Sequence, residues 1–449
     1  MSRAPAQILP CWLRRRALET EDTLRYHPVV RGLLCRYHLW RGGTRTDEPQ
    51  ALARALVRHT AAARMAVSPA VEAHIQDLMR PLVLQLAGRP IDWTEFVPSF
   101  QKPRMNKAAI LKPCLGPREK GVVFISFENQ WVRLLKLADL RGFASRYTLV
   151  VAPSGSPHNL VNYLFPACYP DSIFTLISNP RDPEVLPRVA PNLVVVPLYA
   201  SSWVNPASFE PVPRPERKYD LIMVANFAKF KRHQALFAAL RGMPRTLRLL
   251  LIGQDQDGRT AETIHEVARW YGVADRFELR SNQDYREVTR ALCRARASVV
   301  LSRREGSCVV IAESLFADAP AALLHNAEIG SRVFLNEETG RLLEDSSLAP
   351  QLTAFVAEAD RYCPRAWAEA NISCFRSSQT LNDLLRRHAL AAGQEWTQDI
   401  APLHWCPDPR LVHETDWVRL APERAEILKR FDVEIGLPGP AGERGAAAP

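Results

Sequence analysis

Between residues 219 and 324, short apolar runs alternate with stretches of helical periodicity. Leu221–Ala225, Leu247–Gly253, Arg276–Arg280, Ala297–Ser302 and Pro320–Leu324 read as strands. Lys231–Arg241, Thr260–Tyr271, Asp284–Ala295 and Cys308–Ala317 read as the helices between them. Strand and helix in strict turn make βαβ units, whose strands lie parallel and are covered on both faces. Right-handed crossovers then wind such a sheet in both directions. Ligands of doubly wound sheets bind beyond the carboxyl ends of the strands. Chemistry is therefore expected in the loops Asn226–Lys231, Gly253–Gly258 and Arg303–Ser307.

The N-terminal half has a weaker version of the same texture. Val122–Phe127, Tyr147–Ala152, Ser172–Ser178 and Asn192–Pro197 are apolar runs separated by turn residues, as in strands buried on both faces. Residues 198–218 are Pro-rich and aperiodic and read as a linker. The first hundred residues read as helical. Ser68 and Pro69 start a helix carrying Val71, Ile75, Leu78, Leu82 and Leu86 on one face, which Pro81 is expected to kink. Residues 48–66 form another. Trp12, Trp40 and Trp93 read as core or interface residues rather than ligand stackers. The expected domains are a helical N-terminal extension on the acceptor domain (1–110), an acceptor domain (111–205), a donor domain (206–370) and a helical C-terminal extension (371–449). The last helix, near Trp417–Phe431, is expected to return to the N-terminal domain, and a disordered tail to follow it.

Composition narrows the class. Of 449 residues, 47% are hydrophobic and 24% charged, a balance that folds. Net charge is +10, and Arg supplies 49 of the 58 basic residues. That excess suits either a plain Arg-biased surface or attraction to phosphates. No basic-helix or stacked-aromatic motif for nucleic acid is visible. No apolar run approaches the ~18 residues that span a bilayer, and the first residues lack a secretory signal. Nine scattered cysteines without a C-x-x-C pair speak against a disulfide framework or structural zinc, and for a reducing, cytoplasmic setting.

The strongest local signal is SRREGSCVVIAESLFADAP, residues 302–320. A strand ends, a turn carries Glu305, Gly306 and Ser307, and a helix begins near Cys308. Gly306 permits close backbone approach. The amides of Ser307, Cys308 and Val309 at a helix N-terminus suit an anion such as phosphate. Glu305 and Glu313 are eight residues apart, about 12 Å along a helix, and carboxylates accept from vicinal diols. One motif could grip both ends of a nucleotide sugar. A helix-start carboxylate and a solvated helix residue are the plain alternative.

This segment resembles the retaining GT-B glycosyltransferases, in particular glycosyltransferase family 4. That family carries Glu-x7-Glu in a strand–turn–helix of this form, here Glu305 to Glu313, followed by Ala317, Asp318, Ala319 and Pro320. Its downstream Gly matches Gly340. VPLYASSWVNPASFEP resembles its interdomain segment, LIMVANFAKFKRH its first donor-domain strand and basic loop, and LRLLLIGQD its second strand, ending in Gly253. The resemblance covers residues 190–345 well and 120–190 only in texture.

The resemblance implies an α/β GT-B fold: two facing Rossmann-like domains with helical N-terminal and C-terminal extensions. It implies that Glu313 binds the donor ribose, that Glu305 contacts the donor sugar, and that the amides of Gly306, Ser307, Cys308 and Val309 contact sugar and phosphate. Lys231 then meets the diphosphate, with Arg232 beside it, although a solvated helix start is the simpler reading of both. Asn226 stands where the family has Arg, and Ser307-Cys308 replace an aromatic-Gly pair. The loop SFENQWVRLL has no Gly where the family has a Gly-rich phosphate loop. His158 and Trp131 are expected on the acceptor side.

The implied reaction is hexosyl transfer from a UDP- or GDP-linked donor to a glycan, lipid or small-molecule acceptor, with retention, no metal and no cofactor. Peripheral contact with the inner membrane face is left open. The alternatives are a GT-B-shaped binding or scaffold protein and a nucleotide-sugar epimerase.

Overall fold

The computed structural model describes residues 10–43, 46–97, 104–155, 157–406 and 408–436. Four helices come first: α1 (Cys11–Tyr26), α2 (Pro28–Gly42), α3 (Pro49–Met65) and α4 (Pro69–Leu86). Strands β1 (Ala108–Lys112), β2 (Gly121–Ser126), β3 (Tyr147–Ala152), β4 (Ile173–Ile177) and β5 (Leu193–Tyr199) follow, with α5 (Val161–Cys168) after β3. Next come β6 (Tyr219–Val224), α6 (His233–Leu240), β7 (Leu249–Gly253), α7 (Ala261–Tyr271), β8 (Phe277–Ser281), α8 (Tyr285–Leu292) and β9 (Ala295–Val300). They continue with α9 (Val309–Phe316), β10 (Ala321–Leu324) and β11 (Gly340–Leu343). Helices α10 (Cys374–Ala391) and α11 (Ala421–Phe431) lie near the end.

The described residues form two compact units. One contains 10–30 and 206–371, the other 31–205 and 372–436. The boundary near 206 falls inside the Pro-rich segment. Residues 1–110 were read as one extension on the acceptor domain; instead α1 belongs with residues 206–371. The expected disordered tail beyond Gly436, and Ser156 of the 154–158 loop, lie outside the described residues.

In the unit built on residues 206–371, six parallel strands run in the order β11-β10-β9-β6-β7-β8. Counted from β6 this is the doubly wound order 3-2-1-4-5-6. Its reversal lies between β6 and β9, the place in a doubly wound sheet where ligands generally bind. β7 and β10 are buried along their whole length, which explains their unbroken apolar runs. All five strands and four helices read from the sequence are present, with no end moved by more than three residues.

The other unit has the order β1-β2-β3-β4-β5, with β1 antiparallel to β2 and the rest parallel. Here the strands follow one another without a reversal. Two apolar clusters lie on the two faces of this sheet: along β2, Val123 and Ile125 enter one cluster and Val122 and Phe124 the other. The first cluster takes in α3, α4 and α5. The second is closed by α10 through Leu381, Leu384 and Leu385. Helix α4 is capped as expected, Ser68 Oγ accepting from Val71 N at 3.3 Å, and it continues through Pro81 as one helix. Helix α11 packs in this unit: Phe431 sits against Phe143 and Tyr147, and the Tyr147 hydroxyl donates to Glu423.

Candidate active site

Two loops flank the reversal of the six-stranded sheet. After β6, Phe227 N donates to Gln254 O at 2.9 Å, which ties this loop to the one after β7. Phe227 and Ala228 are fully buried and anchor it. The loop ends in a single turn, Lys229–Lys231, and Arg232 then adopts the left-handed conformation at φ 59° before α6 begins. After β9, the carbonyls of Gly306 and Ser307 accept from Gly330 N at 2.9 Å and Ser331 N at 3.1 Å. Cys308 O accepts from Ser331 Oγ at 3.1 Å. Cys308 is left-handed too, at φ 53°, and starts α9 at Val309 without a side-chain cap. The first amides of a helix have no acceptor inside it. Glu305 therefore sits in the turn, not on the helix, and the helical spacing drawn from Glu305 to Glu313 applies only from Val309 onward.

Lys231 Nζ donates to Glu305 Oε2 at 2.6 Å, with the two side chains only 15% and 9% exposed. The other carboxylate oxygen, Oε1, is buried and has no hydrogen-bond partner among the described residues. Burial works against the Lys231 charge, but neighbouring Glu305 outweighs it and holds the ammonium above the usual lysine range. Burial also pushes the Cys308 thiol well up, with Glu305 adding to the shift, so the thiol stays neutral. Glu313 lies inside α9, is buried, and has its pKa pushed up to about 7 by burial, which the Tyr285 side chain partly counters. The next residue, Ser314, bonds Ser298 Oγ of β9 at 2.9 Å and fixes the helix on the sheet.

Arg232 is placed differently from the sequence expectation. It is 4% exposed, and its guanidinium bonds Asp22 at 2.9 Å, Asp345 at 2.9 and 3.0 Å, and Leu301 O at 3.2 Å. Burial alone lowers its pKa, but the two carboxylates reverse that and keep it charged. It staples α1 to the carboxyl edge of the sheet. Asn226 Oδ1 accepts from Ala228 N at 3.3 Å and shapes its own loop. Gly253 ends β7 in a tight place: a Cβ there would stand 2.3 Å from Phe227 Cε1 and 2.5 Å from Ala225 O. That explains its fit between the two loops without a ligand role.

In the other unit, His158 Nε2 lies 3.1 Å from Glu72 Oε1, a carboxylate that also takes Arg181 at 2.5 Å. Trp131 is 2% exposed and packs edge-on against Phe165. It is a core residue of that unit, not a lining residue.

Sequence reading missed several participants. Asp22 of α1 and Asp345 hold Arg232 from 210 and 113 positions away, distances at which no motif forms. His233 is fully buried beside Phe227, with its pKa lowered to about 3 by burial and by Arg259 and Lys231. Arg259, in the loop after β7, has a buried Nε without a hydrogen-bond partner among the described residues. The Arg excess was the one signal that could have pointed to it. No group of three or more His, Cys, Asp or Glu able to hold a metal occurs among the described residues.

Residues 204–360 match the family model described as Glycosyl transferases group 1. This stretch is a glycosyl transferases group 1 domain. The group 1 domain takes in β6 to β11, both loops at the reversal, Lys231, Glu305 and Glu313. The glycosyltransferase class expected from the sequence is the class of this domain. No curated protein matches the chain.

Among solved structures, sucrose-phosphate synthase from Thermosynechococcus elongatus is similar at 18% identity, over 60% of this chain and 74% of that one, with a TM-score of 0.48. HepE of Anabaena, solved in complex with UDP, is similar at 13% identity over 59% and 78%, with a TM-score of 0.48. The pneumococcal O-GlcNAc transferase GtfA, solved with UDP and GlcNAc, is similar at 15% over 57% and 55%, with a TM-score of 0.43.

Proposed function

We propose that the protein moves a sugar from a nucleoside-diphosphate sugar to an acceptor hydroxyl, with retention and without metal. The observation that carries this reading is the buried Lys231–Glu305 pair at the reversal of the group 1 domain's sheet, one turn before the start of α9. In this reading the diphosphate meets Lys231 and the first amides of α9. Glu305 faces the sugar ring with its unpartnered oxygen, and Glu313 accepts from the ribose diol. As the bond between the anomeric carbon and the phosphate oxygen breaks, its electron pair stays on the diphosphate. Fixed positive groups in a water-poor site stabilise that charge without reorganisation. The acceptor oxygen then bonds the anomeric carbon from the face the diphosphate leaves, and its proton ends on the departing phosphate.

Asn226 brings no charge, and Arg232 is committed to Asp22 and Asp345. We assign the second phosphate cation to Arg259, whose loop is bonded to that of Lys231 through Phe227 and Gln254. The donor is UDP- or GDP-linked and the acceptor a glycan, lipid or small molecule, in a cytoplasmic setting.

Incubating the purified full chain with UDP-, GDP- and ADP-sugars, with and without acceptors, tests this. Free nucleoside diphosphate is expected from one donor. Lys231→Ala is expected to lower kcat by about 10²–10³, the size of losing one charge-stabilising donor. Donor binding without release would support a scaffold, and sugar interconversion without release an epimerase; either overturns the proposal.

A further inference from the structure

Helix α2 presents the wrong face to water. Val29 is 62% exposed, Leu33 61%, Tyr37 48% and Trp40 75%. At 100° per residue, Val29, Trp40, Leu33, Tyr37 and Val30 fall within a sector of about 100°, some 16 Å long. Arg36 borders this sector on one side and Arg41 on the other. The opposite face is anchored: Cys35 is buried, and Arg31 donates to the carbonyls of Arg64 and Ala66 at 3.0 Å each, at the end of α3. The apolar face is therefore held outward by packing on its back. A surface helix normally shows the reverse pattern, and a contiguous exposed apolar patch marks an interaction site.

We infer that this face of α2 docks onto an anionic lipid bilayer. The helix has three Arg and no acidic residue. A two-fold pairing of α2 with a second copy would set Arg36 and Arg41 against like charges, with no carboxylate in the helix to answer them. Anionic headgroups answer both while the apolar sector enters the acyl boundary, and Tyr37 and Trp40 suit the level between them. The inference does not depend on the transfer reaction. Among the described residues no helix is long and apolar enough to cross a membrane, so α2 would lie in the interface plane.

The test is co-sedimentation of the full-length protein with phosphatidylcholine vesicles, with and without phosphatidylglycerol, at low and high salt. Binding is expected only with phosphatidylglycerol and is expected to fall with salt. The pair Arg36→Gln and Arg41→Gln should each weaken partitioning roughly fivefold. Leu33→Ser with Trp40→Ala should abolish it while the far-ultraviolet circular dichroism stays unchanged. Equal binding to neutral vesicles, no binding to either, or full binding by the apolar double variant overturns the inference. So does a lipid-free dimer in sedimentation velocity that the double variant dissolves, which would assign the face to a second copy.

Discussion

Lys231 and Glu305 are 74 positions apart in the chain and 2.6 Å apart in the fold. Each was legible as a candidate from local pattern, one as a basic residue after a strand and one in a turn before a helix. Their pairing was not legible, because it follows from which strands lie on either side of the sheet's reversal. Glu313 was legible as a residue but not as a titrating group near neutrality, since that depends on its burial in the folded chain. If its ionised form accepts from the ribose, the donor KM should fall as pH rises through about 7, and Glu313→Gln should flatten that profile in initial-rate measurements. For stability the sign is opposite. A carboxyl whose folded pKa is raised contributes fully below its unfolded value of 4.5, and the contribution is lost as pH rises through about 7. Arg232 carries a structural prediction. Arg232→Ala leaves Asp22 and Asp345 short of their shared partner, and breaking such a pair costs about 3–5 kcal/mol, readable in urea denaturation.

At the scale of elements, the alternation from 219 onward was readable because most of the strands are buried on both faces, the edge strand β8 excepted, and the crossovers between them are helices. Element ends were less so; β6 begins at Tyr219, before the apolar run itself. Gly340 matched a family position without a stated reason, and the structure supplies one. It opens β11 opposite Ala321, and a Cβ there would stand 1.9 Å from the Ala321 carbonyl oxygen. Gly340→Ala should cost at least the ~1–3 kcal/mol of overpacking, lowering Tm with little effect on donor KM if Gly340 has only this role. Helix α1 is the element that sequence placed wrongly. It buries no residue, and its partners are charged groups scattered over the middle of the chain. Arg14 meets Glu266 at 3.0 Å, Glu21 meets Lys229 at 2.9 Å, and Asp22 meets Arg232 at 2.9 Å.

At the scale of the whole molecule, chain ends and chain middle interleave. The C-terminal residues close the second face of the five-stranded sheet, since strands taken in sequence by same-handed crossovers leave one face without connecting helices. A buried pair marks this closure. Lys112 Nζ meets Glu119 at 2.7 Å beneath Trp396, and Glu119 also accepts from Thr397 N and Oγ at 2.8 Å. Although burial opposes it, the bonds from Lys112 and Thr397 lower the Glu119 pKa to about 2. Its stabilisation is present above 4.5 and is lost as pH falls toward 2, so acid unfolding of the parent should exceed that of Glu119→Gln over this window. Glu119→Ala should itself cost about 3–5 kcal/mol at neutral pH by leaving Lys112 buried and unpaired.

By itself the sequence determined the parallel α/β class and singled out the Glu305–Glu313 motif and the loops beyond the strand ends as candidates, because burial on both faces and helical crossovers leave periodic traces in the chain. Only the tertiary structure decided that Arg232 is a staple, that Trp131 is core, that Glu305 meets Lys231, and that α2 turns its apolar side outward. Those depend on which residues distant in sequence become neighbours, and burial and pairing, set by those neighbours, decide what each charge can do.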